Sequence, residues 1–243
     1  MTEYLFRDDA YLAESGAVAT ASGPEGVEFN RTIFYAASGG QPGDVGAIIL
    51  ADGREAAVID TVHPEGDRTR ILHRLAEGAP LPAVGEAVRL RLDMARRKRL
   101  MRVHTALHLL SVVLPFPVTG GAIGEAKGRL DFDMAEPPPD LAAVEAALNA
   151  LVVRDLAVTA EWITDAEMEA RPELVRTMKV KPPTGQGRVR LIRIGAGDDT
   201  VDLQPCGGTH VARTGEIGRL AIGKVEKKGR ENRRVHLLLA APA

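Results

Sequence analysis

The sequence predicts an α+β fold in two parts: a small, barrel-like β domain over residues 1–90, then a two-layer α+β domain over 91–243. Short β-branched or alternating runs crowd the first part, each bounded by turn signals. A long helical periodicity begins just after Asp93. Beyond it, helical and strand-like runs alternate with no internal repeat and no low-complexity segment.

Taken in order, strands are expected over 27–34, 46–50, 56–62, 69–75 and 87–92. Ser22-Gly23-Pro24, Asp52-Gly53, Pro64-Glu65-Gly66 and Gly78-Ala79-Pro80 mark the turns between them. Asp93 reads as an N-cap for a helix over 94–114, which Pro115 stops. Leu100, Val103, Leu107, Leu110 and Leu114 give that helix a core-facing stripe. A Gly-rich turn beginning at Gly120 leads into a strand over 129–133, and Pro137-Pro138-Pro139-Asp140 introduces a helix over 141–153. A strand follows over 156–163, then a short helix capped by Thr164, with Glu167 completing a capping box. The remainder is strand-like at 189–194, 217–225 and 235–239.

Composition narrows the class. Hydrophobic residues at 45% and charged residues at 26% describe a globular chain, long enough for one large domain or two modest ones. Aromatics are scarce at 4%, which leaves few rings on which nucleotide bases stack. The acidic N-terminus lacks the apolar stretch of a secretory signal, and the apolar run over 107–118 is too short to span a bilayer. One cysteine excludes an intrachain disulfide and fits a reducing, cytoplasmic setting.

That cysteine opens Cys206-Gly207-Gly208-Thr209-His210, and His104-Thr105-Ala106-Leu107-His108 places two further histidines on one helix face. With six histidines in 243 residues, a given offset from the cysteine meets one about once in forty (243/6). Coincidence of both motifs therefore points to a metal site. Three imidazoles and a thiolate suit Zn²⁺. A metallopeptidase would place a glutamate beside the first histidine, but position 105 is threonine.

These motifs, with Arg129-Leu130-Asp131-Phe132-Asp133, Leu203-Gln204-Pro205 before the cysteine and Thr214-Gly215-Glu216-Ile217-Gly218 after it, resemble the editing domain of alanyl-tRNA synthetase. Gly39-Gly40-Gln41-Pro42-Gly43-Asp44 resembles the glycine-rich motif of the small β domain that precedes it. The resemblance spans nearly the whole chain and is nearest to the freestanding alanyl-tRNA editing proteins, the AlaX type with an N-terminal β domain. It implies a zinc-dependent aminoacyl-tRNA hydrolase that removes serine, and glycine as a further substrate, from tRNA(Ala). His104, His108, Cys206 and His210 become its metal ligands.

The resemblance also marks a departure. Synthetase-embedded editing domains commonly carry glutamine after the threonine of a Val-Thr turn, whereas Val118-Thr119 precedes Gly120-Gly121 here. Thr119 becomes the candidate for contacting the serine hydroxyl. The tRNA contacts expected are Gly39, Gly40 and Gln41, the cluster Arg96, Arg97 and Lys98, and the C-terminal cluster Lys227, Lys228 and Arg230. A net charge of −2 makes such clustering local rather than global. The alternative reading is a tRNA-binding module with a closed structural zinc. No protein partner is indicated.

Overall fold

Six strands of the first part close into a barrel in the computed structural model, which describes residues 2–65, 67–175 and 187–240. In chain order the strands are β1 (Glu3–Tyr4), β2 (Glu14–Gly23), β3 (Gly26–Phe29), β4 (Arg31–Thr32), β5 (Gly46–Ile49), β6 (Glu55–Val62), β7 (Leu72–Leu75) and β8 (Ala87–Leu92). The barrel order is β2-β3-β7-β6-β5-β8, with β8 returning to pair β2. Alternation along β6 and β8 turns Ala56, Val58, Val88, Leu90 and Leu92 inward, where they meet Phe29, Phe34 and Ile48.

The longest barrel strand, β2, is absent from the expected strands. Its sequence, Glu-Ser-Gly-Ala-Val-Ala-Thr-Ala-Ser-Gly, is built of small residues with little β-branching. Pairing on both sides and burial of Ala17 and Ala19 make it a strand, so tertiary context overrides a weak propensity.

The chain divides into two compact units, Met1–Lys98 and Arg99–Ala243. Helix α1 (Met94–Val113) begins in the first and runs into the second. Asp93 caps it through a 2.9 Å bond from the Arg96 amide to its carboxylate.

In the second unit, β9 (Val118–Ile123), β10 (Lys127–Asp133), β14 (Leu220–Gly229) and β15 (Asn232–Leu239) form one antiparallel sheet, ordered β14-β15-β10-β9. The turn expected from Gly120 is instead a strand: pairing with β10 holds Gly120 and Gly121 extended. The second sheet is β11 (Val158–Thr164), β12 (Arg188–Ile194) and β13 (Asp202–Pro205), in that order. Helix α1 touches both sheets. A Cβ on Gly128 of β10 would fall 2.7 Å from Val103, so glycine lets the helix approach one sheet. On the other side, Ser111 and His108 meet β13. Burial of α1 accordingly extends beyond the expected stripe to Met101, Thr105, Ala106, Leu109 and Ser111.

Helix α2 (Leu141–Val153) covers edge strand β14, the Asn149 amide bonding both N–H and C=O of Leu220. Helix α3 (Asp165–Glu169) carries the expected capping box of Thr164 and Glu167. No described helix is long and apolar enough to cross a membrane.

Candidate metal centre

Two turns of α1 and the segment after β13 bring four donors together. His104 and His108 stand one helical turn apart, with ring centroids 5.3 Å from each other. The His210 ring lies 4.2 Å from His104 and 4.7 Å from His108. Cys206 Sγ is 3.5 Å from His104 Nε2 and 3.3 Å from His210 Nε2. One ligand atom from each of the four falls within 4.8 Å of all the others, and the three histidines are buried.

A shell of polar contacts aims these donors. His108 Nδ1 donates to Asp202 Oδ2 at 2.9 Å, and Gln204 Nε2 donates to the same oxygen at 2.9 Å. His210 Nδ1 lies 3.2 Å from the Thr105 hydroxyl, which also accepts from the Val211 amide. His104, His210 and Cys206 thus meet through Nε2 and Sγ, the arrangement expected when outer contacts hold Nδ1. Arg190, itself buried, donates through Nη1 to the carbonyls of Cys206 (3.1 Å) and Gly208 (2.9 Å). Its own carbonyl accepts from the Cys206 amide, and the Gly208 amide points at Sγ from 3.5 Å. One arginine therefore holds both ends of the turn that presents the sulfur.

The electrostatics favour the ligating forms. Burial opposes ionisation of Cys206, but the charge of His104 and His210 and hydrogen bonds from His104 and His108 hold its thiol well below the ordinary value. Burial also opposes a cation on His108, yet Asp202 and Cys206 outweigh it and raise this group to about 10. Burial and the neighbouring His104 push His210 well below its ordinary value. A thiolate beside crowded imidazoles is a site where a bound cation replaces a shared proton. The residues fit a metal ion.

The four expected ligands are thus brought together, and the other expected site residues stand on β9, on the glycine loop between β4 and β5, at the start of α1 and on the β14–β15 hairpin. The Thr119 hydroxyl sits in the β9 sheet, donating to the Asp131 carbonyl (3.1 Å) and accepting from Asn232 (2.6 Å). Gly39 and Gly40 are both exposed, with positive φ of 57° and 84°. Gln41, between them and Pro42, has its side chain buried at 2% exposure, which removes it as a side-chain contact for RNA. Arg97 is a second correction. It is fully buried against Asp44 and also donates to the carbonyls of Ala10 (2.9 Å) and Ile33 (2.7 Å), so it has no surface for a phosphate. Arg96 bonds the Gly43 carbonyl at 2.7 Å, while Lys98 is exposed. Lys227, Lys228 and Arg230 lie on the β14–β15 hairpin, all three exposed.

Asp202, Gln204, Thr105 and Arg190 are residues of the site that the sequence reading does not assign to it. A signal exists for two of them: counting back from Cys206 in steps of two along a strand reaches Gln204 and Asp202. An apolar groove of about 840 Å³ between α2 and β14, lined by Ala146, Asn149, Val153 and Ile222, includes none of the four donors.

Comparison with known proteins follows the same residues. Residues 189–236 match the family described as the threonyl and alanyl tRNA synthetase second additional domain. An alanyl-tRNA editing protein AlaX-M of Methanosarcina acetivorans is 32% identical over 247 residues, covering 98% of this chain and 99% of that protein. An AlaX-L of Pyrococcus horikoshii is 34% identical, covering 95% of this chain and 56% of its own length. The alanine–tRNA ligase of Caldivirga maquilingensis is 35% identical over 236 residues, and the chain spans only 25% of that enzyme.

Proposed function

This chain belongs to the AlaX-type alanyl-tRNA editing proteins, and from that premise we propose that it hydrolyses tRNA(Ala) misacylated with serine as its chief substrate, at a zinc centre held by His104, His108, Cys206 and His210. The observation that carries this reading is the convergence of those four donors. Zinc arms of about 2.0–2.1 Å to nitrogen and 2.3 Å to sulfur at a tetrahedral angle put N and S about 3.6 Å apart. The two sulfur–nitrogen separations of 3.5 and 3.3 Å agree. Zinc supplies Lewis acidity toward the ester carbonyl when bound.

The protein's own groups do the rest. Asp202 and Gln204 fix the tautomer and tilt of His108, Thr105 braces His210, and Arg190 sets the Cys206 turn. Hydrolysis adds a water oxygen to the ester carbon, breaks the bond to the terminal ribose oxygen, and returns a proton to that oxygen. Selectivity requires reading a hydroxyl, because alanine is smaller than serine and no steric filter excludes it. Thr119 is the residue assigned to that task. Its oxygen keeps one lone pair beyond the two bonds it makes. Lys227, Lys228 and Arg230 contact the RNA backbone, as do Lys98 and the Gly39-Gly40 backbone of the barrel domain.

Four protein donors fill a tetrahedral shell, which is the feature favouring the competing reading of a tRNA-binding module with a structural metal. Incubation with a panel of aminoacyl-tRNAs separates the two. An editor releases serine from Ser-tRNA(Ala) and spares Ala-tRNA(Ala), whereas a binder returns every aminoacyl-tRNA intact.

A further inference from the structure

Trp162 is the one tryptophan of the chain, and strand register places it on the metal-facing side of the β11–β12–β13 sheet. It stands opposite Arg190, with Ala160 opposite Ile192 and Val158 opposite Ile194. Ile192 in turn stands opposite Gln204, and Ile194 opposite Asp202. Residues directly opposite one another in antiparallel strands share a face. That face is the one from which Asp202 and Gln204 reach His108 and Ser111. The reverse face carries Ile163, Val189, Leu191 and Leu203 against Met168 and Leu174, so the assignment is fixed from both sides.

Trp162 also lies in one cross-strand row with the thiolate. It pairs with Arg190, and the Arg190 carbonyl accepts from the Cys206 amide. Two strand spacings put their backbones about 10 Å apart. The Trp162 ring is half-buried, and the guanidinium of exposed Arg188, two residues along β12 on the same face, lies 4.3 Å from its centroid. An indole carrying a guanidinium is a flat, positively charged stacking surface. Residues 99–243 contain just two other Phe, Tyr or Trp rings, Phe132 and Phe116. Phe132 is fully buried, and Phe116 lies in the connection between α1 and β9, outside the β11–β12–β13 sheet.

We propose that Trp162 and Arg188 form the stacking platform for the unpaired terminal adenine of the aminoacylated tRNA. The inference rests on the editing reading for its substrate. An ester on the terminal ribose lies one sugar away from its base, so an ester at the four-donor centre needs a base site about two strand spacings away, roughly 10 Å. Single-stranded RNA ends are held by stacking on aromatic rings and guanidinium planes. A platform at this distance orients the ribose and leaves the hydroxyl-reading contacts to choose the amino acid.

The test uses the full chain and its single tryptophan as the probe. An RNA oligonucleotide ending in CCA quenches Trp162 emission saturably, and the same oligonucleotide with an abasic last position leaves emission unchanged and binds about tenfold more weakly. Trp162→Leu raises KM for Ser-tRNA(Ala) about tenfold with far less change in kcat, Trp162→Phe restores most of it, and Arg188→Gln falls between. Equal binding of the two oligonucleotides with unchanged emission overturns the platform, whether or not the Leu variant folds. Hydrolysis that proceeds without any quenching removes the platform and leaves editing standing. Quenching by the CCA end with no release of serine removes editing and leaves a site for an adenosine-ended RNA.

Discussion

His108 Nδ1 donates a 2.9 Å hydrogen bond to Asp202 Oδ2, joining a helix to a strand 94 residues later in the chain. The bond decides which nitrogen of that imidazole is left for the other three donors, and it joins a buried carboxylate to the ring.

The first prediction follows from that pair. Asp202→Asn keeps the shape but replaces a charged acceptor with a weaker, neutral one. Affinity for zinc should fall about 10–100-fold in competition with a chelator, while the far-ultraviolet circular dichroism is unchanged. Cys206→Ala, which removes a ligand outright, should lose the metal altogether. Wild-type affinity in Asp202→Asn would reduce this carboxylate to a packing role.

A second prediction contrasts two kinds of cation that look alike in sequence. Arg97 is buried on Asp44, whose carboxylate also accepts from the Tyr35 amide at 2.7 Å. Arg97→Leu strands that carboxylate and two carbonyls, and should cost about 3–5 kcal/mol of barrel stability. Lys227→Ala with Lys228→Ala should leave melting unchanged, weaken tRNA binding and flatten its dependence on salt. The log–log slope should fall by about 0.7–0.9 for each phosphate that is no longer neutralised. If Arg97→Leu melted like the parent and lost tRNA affinity instead, the structural assignment of Arg97 would be wrong.

The contrast also shows what can be read from the chain. The barrel, α1 and the four donors are legible because they rest on local periodicity and on rare residues in fixed spacings: His104 and His108 one helical turn apart, Cys206 and His210 four apart. Strand β2 is not, since small residues such as Ala17 and Ala19 become strand only through partners on both sides. Strand β9 reads as a turn for the same reason, its two glycines being held by β10. Arg97 shares a run with Arg96 and Lys98, and helix rotation alone decides which of them faces Asp44. Asp202 and Gln204 fall on the ligand side by strand alternation, but their partners on α1 are set by tertiary packing.

The third prediction concerns acid. His73 is fully buried between the rings of Phe29 and Phe34, its Nδ1–H donating to the Val27 carbonyl at 3.0 Å and its Nε2 accepting from Thr32 at 2.8 Å. Burial pushes it down to about 4. The unfolded chain takes up this proton near pH 6.5, before the folded one does, so stability is intact above pH 6.5 and is lost as pH falls toward 4. The loss amounts to about 3 kcal/mol, with nothing further from this group below about pH 4. All three tyrosines lie in the first unit and the tryptophan in the second, so their near-ultraviolet signals report the two units separately. The tyrosine transition should shift down between about pH 7 and 4.5, and His73→Gln should remove most of that slope. A parallel slope in the variant would assign the acid sensitivity to other groups.

The last prediction addresses substrate choice. A site that hydrogen-bonds a substrate hydroxyl discriminates by roughly 10⁴–10⁵ against the analogue lacking it, since the protein groups are then left unpaired. The Thr119 oxygen is held in place by Asn232 and by the carbonyl of Asp131, which fixes where its remaining lone pair points. Thr119→Val keeps the volume and removes the oxygen. It should lower kcat/KM for Ser-tRNA(Ala) about 10–100-fold and leave the slow reaction with Ala-tRNA(Ala) nearly unchanged, so the gap between the substrates narrows. Thr119→Ser restores the hydroxyl and should restore the gap. Loss of the bond from Asn232 costs about 1 kcal/mol of stability, so melting curves of all three proteins accompany the kinetics. An unaltered serine-to-alanine ratio in a folded, metal-loaded Thr119→Val protein would move hydroxyl recognition to another residue of the site.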